Sequence, residues 1–247
     1  MSLSRLRLIP SALALAAVAL LTVGCSTTPA SPAPTSTAGS PSSTGGADAG
    51  ATPVERTVDD VEAAWLDDGR MIAIVTWGSS SCRPHIEDVQ ADGQSVAVTV
   101  VDAKEQACTD DLAPRAVLAM LPEGVDVTKD VDLRVTFGDV EEDVDLDGLD
   151  AAPQGPSEQQ PAAGWFDDDG IVLLTWGSSS CPPVASDLEM TDAGATVTFS
   201  ADADRVCTMD FAPRATTITL PEERDDDAPF TLTLVGDNLD GEVVVRG

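Results

Sequence analysis

The sequence contains no tyrosine, and phenylalanine and tryptophan together supply only 4% of its 247 residues. A core of stacked aromatic rings is therefore excluded, and packing must depend on valine, leucine and isoleucine with a few tryptophans. Hydrophobic residues still reach 43%, which is too high a share for a disordered acidic chain. We therefore expect a folded protein with an aliphatic core.

Basic residues are also scarce, with 13 lysines and arginines against 43 aspartates and glutamates. The formal net charge of −30 repels phosphate backbones and anionic lipid headgroups, which excludes nucleic acid as a partner. The same charge favours divalent cations and a basic or cell-envelope protein as partners. His85 is the only histidine, so a histidine-based metal site is excluded, and no cofactor is predicted.

The N-terminal segment has the layout of an export signal. Arg5 and Arg7 precede an apolar run over residues 12–23, which is shorter than the roughly 20 residues that a membrane-spanning helix needs. A signal peptide is therefore predicted over residues 1–24. Residues 21–25, Leu-Thr-Val-Gly-Cys, resemble the lipobox of bacterial lipoproteins, and this resemblance implies lipidation of Cys25. An ordinary secretory signal with an unmodified cysteine is the alternative.

The segment after Cys25 consists almost entirely of serine, threonine, proline, alanine and glycine, with a single charge up to residue 50. Such a composition cannot bury a core and predicts a flexible tether over residues 25–54. Acyl chains on Cys25 followed by this spacer would hold the folded part at the outer face of the cell membrane.

The rest of the chain contains an internal repeat with a displacement of 99 residues. TWGSSSC at 76–82 recurs at 175–181, and CTDDLAPRA at 108–116 matches CTMDFAPRA at 207–215. Without gaps, the 48 positions from Thr76 to Glu123 contain 21 identities with their counterparts, which indicates a duplication. We predict one repeat over 55–148, a linker over 149–161 and a second repeat over 162–247.

Each repeat has the pattern of β-strands. Residues 71–77 and 171–176 are short apolar runs, whereas residues 96–101 and 195–200 alternate apolar and polar side chains. Hairpin turns are predicted at three Asp-Gly pairs, Asp68-Gly69, Asp92-Gly93 and Asp169-Gly170. Six or seven short strands per repeat predict an all-β fold, with a small antiparallel sandwich or barrel in each repeat.

Four cysteines remain if Cys25 is lipidated. They allow three pairings, but only Cys82–Cys108 with Cys181–Cys207 lets each repeat close by itself. An exported location favours oxidation to disulfides. A metal site is the competing interpretation, although the sequence has no C-x-x-C pair.

The two GSSSC loops are candidate ligand-contact segments because they offer clustered hydroxyl groups. The candidate residues are Ser79, Ser80, Ser81, Ser178, Ser179 and Ser180. Alternatively, their hydroxyls satisfy backbone groups beside the disulfides. A catalytic serine is disfavoured, because cysteine replaces the second glycine of G-x-S-x-G and His85 is replaced by Val184 in the other repeat. No catalytic residue is predicted.

Arg115 and Arg214 are the bases common to both repeats, and they are the second pair of candidate ligand contacts. A repeated arginine in so acidic a chain indicates an anion or carboxylate pocket. Alternatively, each arginine pairs with the acid four positions earlier, Asp111 or Asp210, and fixes a tight turn.

The acidic run from Asp143 begins like a calcium loop, with Asp143, Asp145, Asp147 and Gly148 in a D-x-D-x-D-G pattern. Position twelve is Gln154 instead of glutamate, and no helices are predicted beside it. A solvated acidic rim is therefore the alternative to a calcium site.

The W-G-S-S-S-C and C-T-x-D-x-A-P elements resemble those of uncharacterised secreted and lipid-anchored proteins of actinobacteria. The resemblance implies an exported disulfide-bearing domain and supplies no catalytic residue. Our leading hypothesis is a non-enzymatic, surface-displayed lipoprotein with two tandem binding or structural β-domains. The alternatives are a calcium-binding envelope protein and a hydrolase that acts on envelope polysaccharide through two carboxylates.

Overall fold

The structure is a computed structural model that describes residues 56–103, 107–201 and 204–247. In this part of the chain, the regular elements are fourteen β-strands and one 3-10 turn at Asp67–Gly69. The first seven strands are β1 (Val61–Leu66), β2 (Met71–Gly78), β3 (His85–Asp92), β4 (Ser95–Val101), β5 (Ala113–Met120), β6 (Val131–Phe137) and β7 (Val140–Leu146). The second seven are β8 (Ala162–Asp167), β9 (Gly170–Gly177), β10 (Val184–Thr191), β11 (Gly194–Ser200), β12 (Ala212–Thr219), β13 (Phe230–Val235) and β14 (Gly241–Arg246). The all-β prediction is confirmed.

The first seven strands form a sandwich of two sheets. One sheet has the order β1-β2-β5, and the other has the order β3-β4-β6-β7. In β4, Val96, Val98 and Val100 are buried while the residues between them are more exposed, as the alternating sequence predicts. These valines join Ile72 and Ile74 of β2 in one aliphatic core between the sheets.

The second seven strands repeat the arrangement, with the orders β8-β9-β12 and β10-β11-β13-β14. Their core is likewise aliphatic, with an edge-to-face contact between Trp165 and Phe230 at 5.1 Å between ring centroids. A short parallel pairing of β14 with β8, at Val245 and Arg246, joins the two sheets along one edge.

The predicted hairpins are all present. β1 and β2 are joined through Asp67–Gly69, where Asp68 has a φ of 55° and Gly69 a φ of 84°. The β3–β4 hairpin turns at Gly93, with a φ of 65°, and β8–β9 turns at Asp168-Asp169. In the first two hairpins, these left-handed conformations match the aspartate and glycine of the sequence pattern. The β8–β9 turn lies one residue earlier than predicted, because Gly170 is already the first residue of β9 and pairs with Asp167.

The four-stranded sheets also contain parallel pairs. β4 pairs with β6 in parallel, with Ser95 opposite Asp132, and β11 pairs with β13 in the same way, with Gly194 opposite Thr231. Between these strands the chain crosses to the other sheet as β5 or β12 and then returns. A crossover of this kind is what parallel neighbours require, and alternation along a single strand cannot reveal it.

The two sandwiches pack against each other through the outer faces of their three-stranded sheets. Met71, Ala73 and Val75 of β2 lie in one buried cluster with Val172 and Leu174 of β9. Trp77 meets Phe166 edge to face, with 6.0 Å between ring centroids. Both β2 and β9 are therefore buried on both faces, which explains why their sequences are continuous apolar runs instead of alternating ones.

The predicted signal peptide, Cys25 and the tether lie outside the described residues. In the part of the chain that is described, no helix has the length and apolar character needed to cross a bilayer.

Candidate functional site

The repeated GSSSC and CTxD segments lie side by side in each sandwich and are joined by a disulfide. The Cα atoms of Cys82 and Cys108 are 5.5 Å apart, and those of Cys181 and Cys207 are 5.6 Å apart. The predicted pairing within each repeat is therefore confirmed. Each bridge ties the loop after a central strand to the segment that precedes β5 or β12.

A hydroxyl network fixes the first of these loops. Ser79 Oγ lies 2.8 Å from Thr109 Oγ1, and the Thr109 backbone N–H donates to Ser81 Oγ at 3.0 Å. Asp111 accepts a hydrogen bond from the Ser80 backbone N–H at 3.2 Å and another from the Thr109 hydroxyl. Ser79 and Ser81 therefore hold the loop in place, as the alternative interpretation of these serines expects.

The second loop has the same network with nearly the same distances. Ser178 Oγ lies 2.8 Å from Thr208 Oγ1, and the Thr208 N–H donates to Ser180 Oγ at 2.9 Å. The Ser179 backbone N–H donates to Asp210 at 3.2 Å. The threonine partners are not among our predicted site residues, although the repeated C-T-x-D pattern contains both of them.

Hydrogen bonding lowers the pKa of both loop aspartates. The Ser179 and Thr208 side chains lower the pKa of Asp210 to about 2. The Thr109 and Ser80 side chains lower the pKa of Asp111 in the same way. Since these hydrogen bonds favour the carboxylate form, the loops are held best when the aspartates are charged.

The loop aspartates should make the stability of the folded protein depend on pH. Because the pKa of Asp210 is lower in the folded state, its contribution is complete above the unfolded-state value of about 3.9 and is lost as the pH falls towards about 2. Asp210→Asn should therefore lower the melting temperature at neutral pH, and the difference from wild type should shrink towards pH 2.

Asp187→Asn replaces an exposed aspartate on β10 and serves as the control. Its melting temperature should stay close to that of the wild type across this pH range. If the difference in melting temperature from the wild type shrank equally towards pH 2 for both variants, the pH dependence could not be assigned to Asp210.

The structure does not support the predicted pairing of Arg115 with Asp111. Arg115 lies on β5, only 8% exposed, and donates to the carbonyl oxygens of Cys82 at 3.0 Å and Trp77 at 3.3 Å. Its ion-pair partner is Asp102, at 3.1 Å. The prediction was wrong because β5 begins at Ala113, so the spacing of four residues spans a loop and a strand instead of one turn.

Arg214 occupies the equivalent position on β12 with different surroundings. It donates to the carbonyl oxygens of Cys181 at 2.9 Å and Trp176 at 3.1 Å, and it is half-buried. Among the described residues, no carboxylate lies within 4.0 Å of its guanidinium nitrogens. The predicted partner Asp210 is held by its own loop instead.

The guanidinium groups also explain the glycine of each GSSSC loop. A Cβ atom on Gly78 would lie 2.7 Å from Cζ of Arg115, and one on Gly177 would lie 2.7 Å from Cζ of Arg214. The arginine therefore occupies the space that any other residue's side chain would need. Because glycine has no side chain, the arginine can reach the carbonyl oxygens of the loop.

Gly78→Ala should destabilise the protein by about 2 kcal/mol, because the added methyl must push Arg115 away from two carbonyl oxygens. Gly241→Ala is the matched control, because its new methyl would meet no atom within 4 Å. Urea denaturation should place Gly241→Ala within about 0.5 kcal/mol of the wild type. Equal stability of the two variants would show that the arginine does not need this space.

The candidate calcium residues do not form a loop. Asp143 and Asp145 lie on strand β7 with exposed side chains, and Asp143 pairs with Arg134 at 3.1 Å. Asp147 follows the strand, and its backbone carbonyl accepts a hydrogen bond from Trp65 Nε1 at 2.8 Å. Within the described residues, the one set of three acidic side chains that converge is Asp225–Asp227, which is fully exposed.

A cleft of about 420 Å³ lies where the two sandwiches meet. Residues from both repeats form its walls, including Arg83 and His85 of the first repeat and Ser179 and Arg214 of the second. Of the predicted ligand-contact residues, the cleft therefore brings Ser179 and Arg214 together, whereas Arg115 and the other five serines do not line it.

Comparison with known proteins gives no relative for this chain. No family model, curated protein or solved structure matches it. The function must therefore be inferred from the residues of the loops and the cleft.

Arg83 and His85 could not be predicted as site residues from the repeat, because their counterparts in the second repeat are Pro182 and Val184. A search for elements common to both repeats selects the residues that hold the repeated loops, such as the cysteines, the threonines and the loop aspartates. Half of the twelve residues that line the cleft differ from their counterparts in the other repeat, so a search of this kind does not find them.

Proposed function

We propose that this protein is an exported, lipid-anchored binding protein that catalyses no reaction. The observation that carries the proposal is the cleft between the sandwiches, which both repeats build together and which neither could form alone. Ligand sites commonly occupy such clefts between two packed units, with a few polar groups set among apolar walls.

The repeated loops support a binding role over a catalytic one. Ser79, Ser81 and their counterparts Ser178 and Ser180 are engaged in hydrogen bonds that hold the loops. A nucleophilic serine needs a base within hydrogen-bond reach, and the partners of these hydroxyls are threonines and neighbouring serines. The repeated motif therefore serves as a framework that carries the cleft.

Two disulfides support an exported location. Such bonds persist in oxidising compartments and are rare in the cytosol. The lipobox-like residues before Cys25 and the spacer after it, which has a single charge, support a lipid anchor with a tether.

Metabolic labelling with a palmitate analogue tests the anchor. The wild type should be labelled and sediment with membranes, whereas Cys25→Ala should be unlabelled and absent from the membrane fraction. Cys207→Ala, which retains Cys25, is the control and should remain labelled. Recovery of the wild type from the cytosol, unlabelled and with free thiols, would overturn the proposed location.

A further inference from the structure

Three of the few basic residues of this acidic chain line the cleft. Arg83, His85 and Arg214 are among its lining residues, and none of the described residues that line it is an aspartate or a glutamate. Arg205 lies beside it and donates to the carbonyl oxygen of Pro182, another lining residue, at 3.2 Å. In a chain with 43 acids and 13 lysines and arginines, such a local excess of positive charge is not expected from composition.

None of the arginines at the cleft is held in a direct ion pair by a described residue. Among the described residues, Arg83, Arg205 and Arg214 form no ion pair, and the side chains of Arg83 and His85 are exposed. Burial is the main reason that the pKa of Arg214 is lowered; the charge of Asp237 opposes this effect and the charge of Arg205 adds to it. The site therefore holds positive charge that a bound anion would stabilise.

In the first repeat, the arginine equivalent to Arg214 binds a carboxylate of the same chain. Arg115 holds the Asp102 carboxylate at 3.1 Å and lies 5.6 Å from the centre of the Phe137 ring. At the repeat displacement of 99 residues, Asp102 corresponds to Ala201. Among the described residues, Arg214 has neither an ion-pair partner nor an aromatic ring against its guanidinium.

Apolar side chains form much of the remaining wall. Ile86 and Leu118 come from the first repeat, and Pro182, Pro213 and Ala215 come from the second. A purely inorganic anion would leave these side chains in contact with water. A ligand with an apolar body would remove them from it, which is favourable by about 25 cal/mol per Å² of buried apolar area.

We propose that the cleft binds an organic carboxylate, whose carboxylate group takes the place at Arg214 that Asp102 takes at Arg115. Arg83 and His85 line the same cleft from the other repeat; Arg83 supplies further positive charge, and both side chains supply hydrogen-bond donors. The apolar body of the ligand lies along the proline and aliphatic walls. This inference deepens the proposed binding role by naming a ligand class, and it does not depend on the lipid anchor.

Titration calorimetry with hexanoate and with hexanol tests the proposal on the purified protein. The two probes share the apolar chain and differ in charge. We expect hexanoate to bind with a dissociation constant of about 1 mM and hexanol to bind at least about tenfold more weakly. Equal binding of the two probes, or no hexanoate binding at about 10 mM, would overturn the proposal.

Ala201→Asp is the sharpest variant, because it builds the ion pair of the first repeat into the second. It should lower hexanoate affinity at least about tenfold without lowering the melting temperature. Arg83→Ala, which removes an exposed side chain, should lower the affinity about fivefold and provides a second test if Ala201→Asp fails to fold.

Arg134→Ala is the matched control, since Arg134 is an exposed arginine on β6 outside the cleft. It should leave hexanoate binding unchanged. If Ala201→Asp binds hexanoate as well as wild type does, or if Arg134→Ala weakens binding as much as Arg83→Ala does, the site assignment is wrong. The palmitate labelling of Cys25 is independent of these results, so failure of the ligand class and failure of the anchor can be told apart.

Discussion

Val172→Asp should destabilise the protein by about 4 kcal/mol, because it places an unpaired carboxylate in the buried contact between the two sandwiches. Val172 is fully buried on β9 and packs in the cluster that also contains Ala73 and Val75 of β2. Neither Ala73 nor Val75 offers a hydrogen-bond donor from its side chain. The carboxylate must therefore lose its hydration without compensation or force the sandwiches apart.

Val244→Asp is the matched control for this substitution. It introduces the same residue into the same repeat on β14, where Val244 is 65% exposed, and should change the free energy of unfolding by no more than about 0.5 kcal/mol. Urea denaturation measures both variants. A Val172→Asp protein as stable as the Val244→Asp protein would mean that the sandwiches do not share a core.

Removing the second disulfide, with Cys181→Ala and Cys207→Ala together, should cost about 3.5 kcal/mol. This value follows from the chain-entropy relation for a loop closed over a separation of 26 residues. For a folded unit of this size it corresponds to a drop in melting temperature of about 10 °C. Calorimetry of the variant beside the oxidised wild type gives the measurement.

Reduction of the wild type gives an independent check on the disulfide contribution. With a reductant present, the wild type should lose more stability than the variant, because the variant has only Cys82–Cys108 left to lose. If the variant melted within about 2 °C of the oxidised wild type, the bridge would contribute little to stability.

Much of the fold could be predicted because its signals are local. The Asp-Gly turns at residues 68–69 and 92–93 and the alternation in β4 depend only on neighbouring residues. The cysteine pairing followed from the repeat, since Cys82 and Cys108 recur at the same spacing as Cys181 and Cys207.

The features that sequence reasoning missed depend on residues far apart in the chain. The run MIAIVTW indicated a buried strand, but not that one face of β2 meets β9 of the other repeat. The predicted partner of Arg115 was wrong for the same reason, since Asp102 contacts Arg115 across the loop that leads to β5. Spacing along the sequence favoured Asp111, whereas folding brings a different acid to the guanidinium.

The two arginines differ in their surroundings, and this difference is the basis of the proposed carboxylate site. Both repeats keep the disulfide, the threonine–aspartate network and the arginine behind the loop glycine. Among the described residues, only the arginine of the first repeat has an acid in direct contact, and at the repeat displacement the position of this acid is Ala201 in the second repeat. The first arginine is thus paired with an acid within the fold, while the second is one of the residues that line the cleft and has no ion-pair partner among the described residues.

The position of a bound carboxylate tests the account most directly. Amide resonances recorded by NMR during a hexanoate titration should shift at Arg83, His85, Ser179 and Arg214, which lie around the cleft. The corresponding loop of the first repeat, at Ser80 and Arg115, should keep its resonances unchanged because Asp102 already occupies its arginine. Equal shifts at the two loops, or shifts spread over the surface, would contradict a carboxylate site between the sandwiches.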